Sequence, residues 1–251
     1  DGGALIREFT RADVLSVVPG EDPDAWRWSG DLSAGFTAQS GNTNQSNLNI
    51  QAGITGRTPL SRLIANYVGN VTEVNDAETA NNHRVDTRWD LFLSRKWFFT
   101  PLSVAYYRDR FQNIAHQLTP SAGFGYHLID TADVGWDLGL FGGVRYLEQS
   151  STPVGQAQSD TSGAIIPVMN VSWDITSDVE FTFDFRAEIA VPETQSTNTY
   201  LLTKLSVDLI SDFDIDITFQ WDRVGNPLPD DTGRVPDQND FRTAVGLGWS
   251  F

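Results

Sequence analysis

The chain has 251 residues, 33 acidic against 17 basic side chains for a formal net charge of -16, and no cysteine. That length suits a single all-β domain, the acidity argues against nucleic acid as a partner, and the missing cysteines exclude disulfides, thiolate metal sites and lipid attachment at a cysteine. No run of 18 apolar residues occurs, so no membrane-spanning helix is predicted; a mean hydropathy of -0.27 is compatible with a barrel, whose strands alternate apolar and wet residues and average out.

Residues 1–24 differ from the rest of the chain. Two short β-like pieces, Ala4 to Thr10 and Val14 to Pro19, precede a turn-rich linker at Gly20 to Asp24, and the segment is too short to bury a core of its own. It is read as a small extension, with one domain over residues 25–251. The sequence starts at Asp1, so any export signal is expected to have been removed or to lie outside the sequence given.

From Trp26 onward, twelve segments alternate at a period of two, the mark of strands with unlike surroundings on their two faces. Strand 1 runs from Trp26 to Gln39 and ends in a tight-turn signal, Ser40 to Asn44; strand 2 sets Leu48, Ile50 and Ile54 against Asn49, Gln51 and Arg57. Strand 3 sets Leu63, Ala65 and Tyr67 against Arg62, Asn66 and Asn70, and a polar loop is predicted from Asn75 to Asn82. Strand 4 carries Val85, Trp89 and Leu93 against Arg84, Asp86, Arg88 and Asp90, with a very short turn at Arg95 and Lys96. Strand 5 leads from Trp97 through Leu102, Val104 and Tyr106, with Ser103, Ala105, Tyr107 and Asp109 opposite. Strands 6 to 8 come next, the second face of strand 8 (Ile166, Val168, Asn170, Ser172) being the least polar of all. Strand 9 is the cleanest, with Phe181, Phe183 and Phe185 against Glu180, Asp184, Arg186 and Glu188. Strand 10 sets Leu205 and Val207 against Lys204 and Asp208; strand 11 sets Ile215 and Ile217 against Asp214 and Asp216; a long loop from Arg223 to Asp240 leads to strand 12, Phe241 to Phe251.

An even strand number, turns that are tight after the even strands and longer after strands 3, 7, 9 and 11, and an alternating last strand that finishes on an aromatic residue together resemble a bacterial outer-membrane barrel. The reading is an all-β, twelve-stranded antiparallel transmembrane β-barrel of outer-membrane type. A short N-terminal periplasmic extension precedes it, and both chain termini lie on the periplasmic side. Trp26, Trp28, Trp97, Trp136, Trp173, Trp249 and Phe251 fall near strand ends on that side, and Phe36, Tyr67, Tyr106, Tyr146, Trp221 and Phe241 near the others. Two belts of amphipathic rings at headgroup level fix a barrel's depth, whereas a soluble sandwich has no reason to sort aromatics by height.

Several stretches resemble the family of salt-induced outer-membrane proteins, grouped under a domain of unknown function. They are Trp28-x-Gly30 with Gly35-Phe36, Ser40-Gly-Asn-Thr43, Arg88-Trp-Asp-Leu-Phe-Leu-Ser94 with Trp97-Phe98, Tyr107-Arg-Asp-Arg-Phe-Gln-Asn113, and Gly123-Phe-Gly-Tyr126. The resemblance spans about Trp26 to Phe251 and is densest before Leu147. It implies an outer-membrane barrel, no established activity, and an upstream segment that is the tail of a small periplasmic β module.

The face opposite the lipid side carries charge of both signs. Candidate lumen residues are Arg57, Arg62, Arg84, Asp86, Arg88, Asp90 and Asp109 on one half, and Glu180, Asp184, Arg186, Glu188, Lys204, Asp208, Asp214 and Asp216 on the other. Two readings stay open. A self-paired network fills a narrow lumen, or a basic wall on strands 2 to 4 faces an acidic wall on strands 9 to 11 across a channel that orients small polar or zwitterionic solutes. Of the three histidines, His83 and His116 are placed at loop edges and His127 inside, and no nucleophile elbow accompanies them, so no catalytic residue is assigned. No cofactor and no metal site is expected, since Asp230, Asp231, Asp237 and Asp240 lack the spacing of a calcium loop. The expected function is a narrow channel for small polar solutes or ions, linked to salt or osmotic stress; the alternative is a closed structural barrel whose loops or extension dock a partner. Expected partners are outer-membrane lipid and lipopolysaccharide, the barrel-assembly machinery through the last strand, and a periplasmic or membrane protein.

Overall fold

The computed structural model describes residues 25–41, 44–210 and 212–251. The predicted N-terminal extension, and the middle of the turn between the first two strands, lie outside the described residues. Twelve antiparallel strands close into one barrel in which every strand pairs with its neighbours in sequence and the first with the last. They are β1 Arg27–Gln39, β2 Gln45–Arg57, β3 Ser61–Val74, β4 Ala77–Phe92, β5 Trp97–Asp109, β6 Ile114–Asp130, β7 Val134–Gln149, β8 Ser159–Thr176, β9 Val179–Val191, β10 Asn198–Ile210, β11 Phe213–Val224 and β12 Asn239–Ser250. A 3-10 turn at Thr194–Ser196 is the one helical piece among the described residues. We call the end where β1 starts and β12 finishes the terminal end, and the opposite one the distal end.

The exterior is apolar. Phe36, Leu140, Phe241, Val245 and Leu247 are each at least 60% exposed, a surface that water would penalise and hydrocarbon accepts. Around the terminal end Trp26, Trp28, Trp97, Trp173, Trp249 and Phe251 all stand exposed, and Trp136, half-buried, sits beside Val171 of β8. The rings pack on one another, with Trp26 on Trp28 at 5.7 Å, Trp97 on Tyr126 at 5.0 Å and Trp249 on Phe251 at 5.1 Å. At the distal end Trp221 stacks on Phe241 at 6.3 Å.

Two sequence expectations need correction, and β5 carries a bulge. The polar loop predicted from Asn75 to Asn82 is a two-residue turn, Asn75 and Asp76, both at positive φ (50 and 63), the geometry of a primed hairpin turn that suits the strand twist. The residues from Ala77 on are strand; they look loop-like because the rim of a barrel is polar on both faces. The turn before β5 is four residues, Leu93 to Lys96, so Leu93 leaves the strand alternation. In β5 the register shifts between Thr100 and Ser103, at Pro101, which cannot donate to a ladder. That bulge turns Phe98 and Thr100 inward, where both are fully buried, while Ser103, Ala105 and Tyr107 keep the predicted inward face.

Closure depends on a short seam. β1 and β12 pair over Asp31 to Ala34 against Leu247 to Ser250, extended by backbone bonds in both directions between Gly30 and Phe251 at 3.0 Å. The strands approach so closely that a Cβ on Gly35 would lie 2.8 Å from the Val245 carbonyl oxygen, and one on Gly246 2.9 Å from that of Ala34. Gly246→Val is therefore expected to destabilise the barrel by about 1–3 kcal/mol, the usual range for overpacking. Gly142→Ala, where a Cβ meets nothing within 4 Å, should behave as wild type. Denaturant titration in lipid vesicles, followed by tryptophan fluorescence, measures both.

Candidate functional site

The site is the barrel interior, which the inward half of each strand fills in two unequal tiers. The distal tier closes it. Arg84 on β4 lies between the rings of Tyr107 on β5 and Tyr200 on β10, its guanidinium carbon 4.4 and 4.1 Å from their centroids. From there its Nη2 donates to Oδ1 of Asp222 on β11 at 3.0 Å. The other Asp222 oxygen accepts from Gln220 Nε2 at 2.6 Å and from Arg242 Nη1 at 2.9 Å. Arg242 in turn reaches Asp240 at 3.5 Å and Asp109 at 3.9 Å. Beside this, Glu188 accepts from Arg186 Nε at 2.9 Å, Gln117 Nε2 at 2.8 Å and Thr119 Oγ1 at 3.0 Å, and Asn70 Nδ2 spans from β3 to Gln220 Oε1 at 3.2 Å. Arg84 with Asp222, Glu188 with Gln117, and Asn70 with Gln220 sit on strands that are not neighbours, so these bonds cross the lumen. The void left among them is about 10 Å³, roughly the room of one water.

Above this tier the loops knit together. Asn113 Nδ2 donates to the carbonyls of Ser151 and Pro229 at 2.9 and 3.2 Å, and Val224 packs on Tyr107 and Ile114. Asp230, in the acidic loop weighed for divalent ions, caps its own turn by accepting from Thr232 and Arg234.

The second tier hugs one side of the terminal half. Asp90, fully buried, accepts from Arg62 Nη2 at 2.9 Å, Arg88 Nε at 3.1 Å and Thr100 Oγ1 at 2.7 Å. Arg62 also donates to Asp137 on β7 at 2.7 Å, and Asp137 shares a 2.6 Å hydrogen bond with Nδ1 of His127. Arg88 Nη1 reaches Asn170 on β8 at 2.9 Å. An aromatic floor, Phe92 and Phe98, lies under these cations, with Arg57 5.1 Å from the Phe92 centroid and Arg62 5.5 Å from that of Phe98. The glycines of β6 make this possible, because a Cβ on Gly125 would fall inside the Phe98 ring's space. Phe141, Ala164, Ile166 and Val168 form an apolar wall alongside, which explains the weakly polar inner face of strand 8.

Between the tiers a cavity of about 550 Å³ runs to the terminal rim, where Asp133 of the β6–β7 turn and Ser250 line it. Of the predicted lumen residues, Arg57, Arg62, Arg84, Asp86 and Arg88 line this cavity, as do Glu180, Asp184, Arg186, Lys204, Asp208 and Asp214. Asp90 is sealed behind the arginines, Asp109 and Glu188 belong to the distal tier, and Asp216 points inward with its Oδ1 accepting from Ser206 at 2.6 Å.

The candidate set leaves out several members. Asp31, Tyr107, Asp137, Asp222 and Arg242 lie on inward positions that the alternation already gives, and Tyr200 is found by extending that parity to the start of β10. His83 and His116 are not at loop edges as expected. They stand on the outward faces of β4 and β6, each with Nδ1 2.9 Å from a tyrosine hydroxyl, Tyr67 and Tyr106 respectively.

The family model described as "Protein of unknown function, DUF481" matches residues 32–251. The chain belongs to that family. A curated relative, "Uncharacterized protein YdiY" of Escherichia coli (strain K12), is 24% identical over 260 residues, covering 99% of this chain and 94% of the relative. Among solved structures, the NanC porin aligns at 11% identity and a TM-score of 0.47 over 88% of this chain and 98% of its own. The translocator domain of the autotransporter NalP from Neisseria meningitidis aligns at 11% identity and 0.39, over 89% and 87%.

Asp90 is the residue on which two guanidinium groups depend. Asp90→Ala leaves Arg88 without its carboxylate and Arg62 with Asp137 alone, and loss of one partner of a buried ion pair typically costs about 3–5 kcal/mol. The unfolding midpoint in vesicles should fall accordingly, while Asp231→Ala in the exposed distal loop should leave it unchanged.

Proposed function

We propose that the protein is a non-enzymatic barrel of the bacterial outer membrane that passes small polar solutes or ions through a lumen gated by the Arg84 tier. The observation that carries this is the interior cavity of about 550 Å³, entered at the terminal rim and stopped by Arg84 and Tyr200, which line both the cavity and the closed tier. A charged, water-accessible half-lumen ending on a polar tier, with the knitted distal loops beyond it, supports a gated pore, since filling a structural barrel needs no vestibule. Outer-membrane placement is supported by the apolar exterior, the two aromatic belts and the family, and salt or osmotic stress by the family resemblance alone. Connections of two to four residues at the terminal end, against longer ones at the distal end apart from the β3–β4 and β5–β6 turns, support a periplasmic position for the terminal end. Lipopolysaccharide as a lipid partner is supported by Arg108, an exposed cation on the outward face of β5 directly beside His83 near the distal rim, where a headgroup phosphate would satisfy it.

A second reading is a closed barrel that docks a partner by its loops, favoured by the bonds that cross the lumen from Arg84 to Asp222 and from Asn70 to Gln220. Single-channel recording of the folded protein in planar bilayers separates the two. The gated pore predicts brief, low-conductance openings in wild type. It also predicts a several-fold higher open probability in Arg84→Ala and in Arg242→Ala, with heat-modifiable electrophoretic mobility confirming that both variants fold. Silence from the wild type and from both folded variants would discard the pore and leave the docking barrel.

A further inference from the structure

The outer wall of β4, β5 and β6 is uncharged over most of its height. Its outward positions from Val85 to Trp89, from Leu102 to Tyr106 and from Leu118 to Tyr126 hold no acidic or basic side chain. One step further towards the distal end stand His83, Arg108 and His116. Arg108 is two residues beyond Tyr106 and directly opposite His83 across the β4–β5 ladder. His116 is two residues beyond Leu118, the partner of Tyr106 on β6. Arg108 therefore has a histidine on either side, and opposed positions on one face of a sheet are about 5 Å apart at Cβ.

Both histidines are held from the apolar side. Tyr67 reaches His83 and Tyr106 reaches His116, each hydroxyl 2.9 Å from Nδ1. In the first pair the two rings lie 17° from parallel. Gly69, opposite His83, makes room for this, because the Tyr67 hydroxyl occupies the space that a Cβ there would need. With Nδ1 engaged, Nε2 is the ring nitrogen left for another partner. An anion at Nε2 selects the tautomer in which the tyrosine hydroxyl donates to Nδ1 and Nε2 carries the hydrogen.

Arg108 is exposed, and the acids around it are turned elsewhere. Asp109 is buried on the inward face, Glu78 lies 3.7 Å from Arg110, and Glu148, on the far side of His116, accepts from Tyr146 at 3.3 Å. Among the described residues no carboxylate forms an ion pair with Arg108. A cation at the upper edge of an apolar membrane wall faces lipid headgroups. The planar guanidinium fork, with an imidazole N–H on each side, matches the oxygens of a phosphate group. We propose that His83, Arg108 and His116 form a seat for a lipid A phosphate of lipopolysaccharide, with Tyr67 and Tyr106 as positioning residues. This deepens the reading of lipopolysaccharide as the lipid partner by naming its site, and rests on the outer-membrane placement.

The test uses the full chain folded in neutral detergent and titrated with diphosphoryl lipid A, bound lipid being counted by native mass spectrometry. Diphosphoryl lipid A should bind at least about tenfold more tightly than the same lipid with both phosphates removed. Arg108→Gln should weaken the phosphorylated lipid by about tenfold, and His83→Ala with His116→Ala by about three- to tenfold. Tyr67→Phe with Tyr106→Phe should weaken the phosphorylated lipid and leave the dephosphorylated one unchanged. Arg223→Gln, at a distal-rim cation that already reaches Asn239 at 3.4 Å, should change nothing. Heat-modifiable mobility checks that each variant folds. Equal binding of the two lipids, or indifference to Arg108→Gln in folded protein, overturns the proposal. So does displacement of the lipid by inorganic phosphate, which would make this a site for soluble anions. The seat and the placement fail separately. Recovery in outer-membrane fractions without a phosphate preference keeps the placement and loses the seat, whereas recovery in another fraction removes both.

Discussion

Every feature of this molecule stems from one requirement: in hydrocarbon, a backbone N–H or C=O has no water to bond, so the sheet must close on itself. Closure here comes down to the pairing of β1 with β12, the shortest ladder in the barrel, made by Asp31 to Ala34 against Leu247 to Ser250. Glycines at 35 and 246 let the two backbones meet, and Phe251 folds back over Gly30, where a Cβ would come 2.7 Å from the ring. A large ring laid over a glycine recurs around the barrel, in Trp28 over Gly56, Tyr67 over Gly69 and Phe98 over Gly125. In each case the bare backbone is shielded by an aromatic face, and the strand keeps its twist without a clash.

Closing a twelve-stranded sheet creates an interior too wide for short side chains to fill. Long charged side chains fill it, and their distribution divides the interior into a locked half and a wet half. Arginine is the residue that does the locking. Its planar fork bonds two acceptors at once and its face stacks on aromatic rings, as Arg84 does between Tyr107 and Tyr200 while bonded to Asp222. Lysine, a compact point charge, has no planar fork with which to match it. The wet half keeps its surplus of acids next to the terminal rim, where solvent can screen them.

The strand count, the inward and outward faces and the aromatic belts were legible in the sequence because a barrel strand has two unlike surroundings and a two-residue period records them directly. The reading slipped where that period breaks. Pro101 hides a bulge, and nothing in Phe98 announces that it faces inward until the register of β5 against β6 is known. Asn75 and Asp76 look like the start of a loop, and the paired residues after them look like its continuation, because polarity on both faces is what a rim shares with a loop. Individual lumen residues could be named by parity, but not their partners. Whether Arg84 meets Asp222 or Asp86 depends on which strands face each other across the lumen, which is set by barrel radius and shear rather than by any local pattern.

The same contacts that hold the distal tier together set the terms on which it can open. Freeing Arg84 breaks one charge-assisted bond and two ring contacts, and exposes Asp222, which keeps Arg242 and Gln220 as partners. If unlatching costs about 3–5 kcal/mol, the range for separating a buried pair, the open form is populated roughly 0.02–0.6% of the time at equilibrium. A ligand raises that fraction only by binding the open form more tightly than the closed one. In the gated-pore reading Asp86, which lines the cavity beside Arg84, is where an entering cation would compete with that guanidinium for a carboxylate's field. In the same reading the paired acids are what hold the barrel shut, and opening means breaking the bond from Arg84 to Asp222.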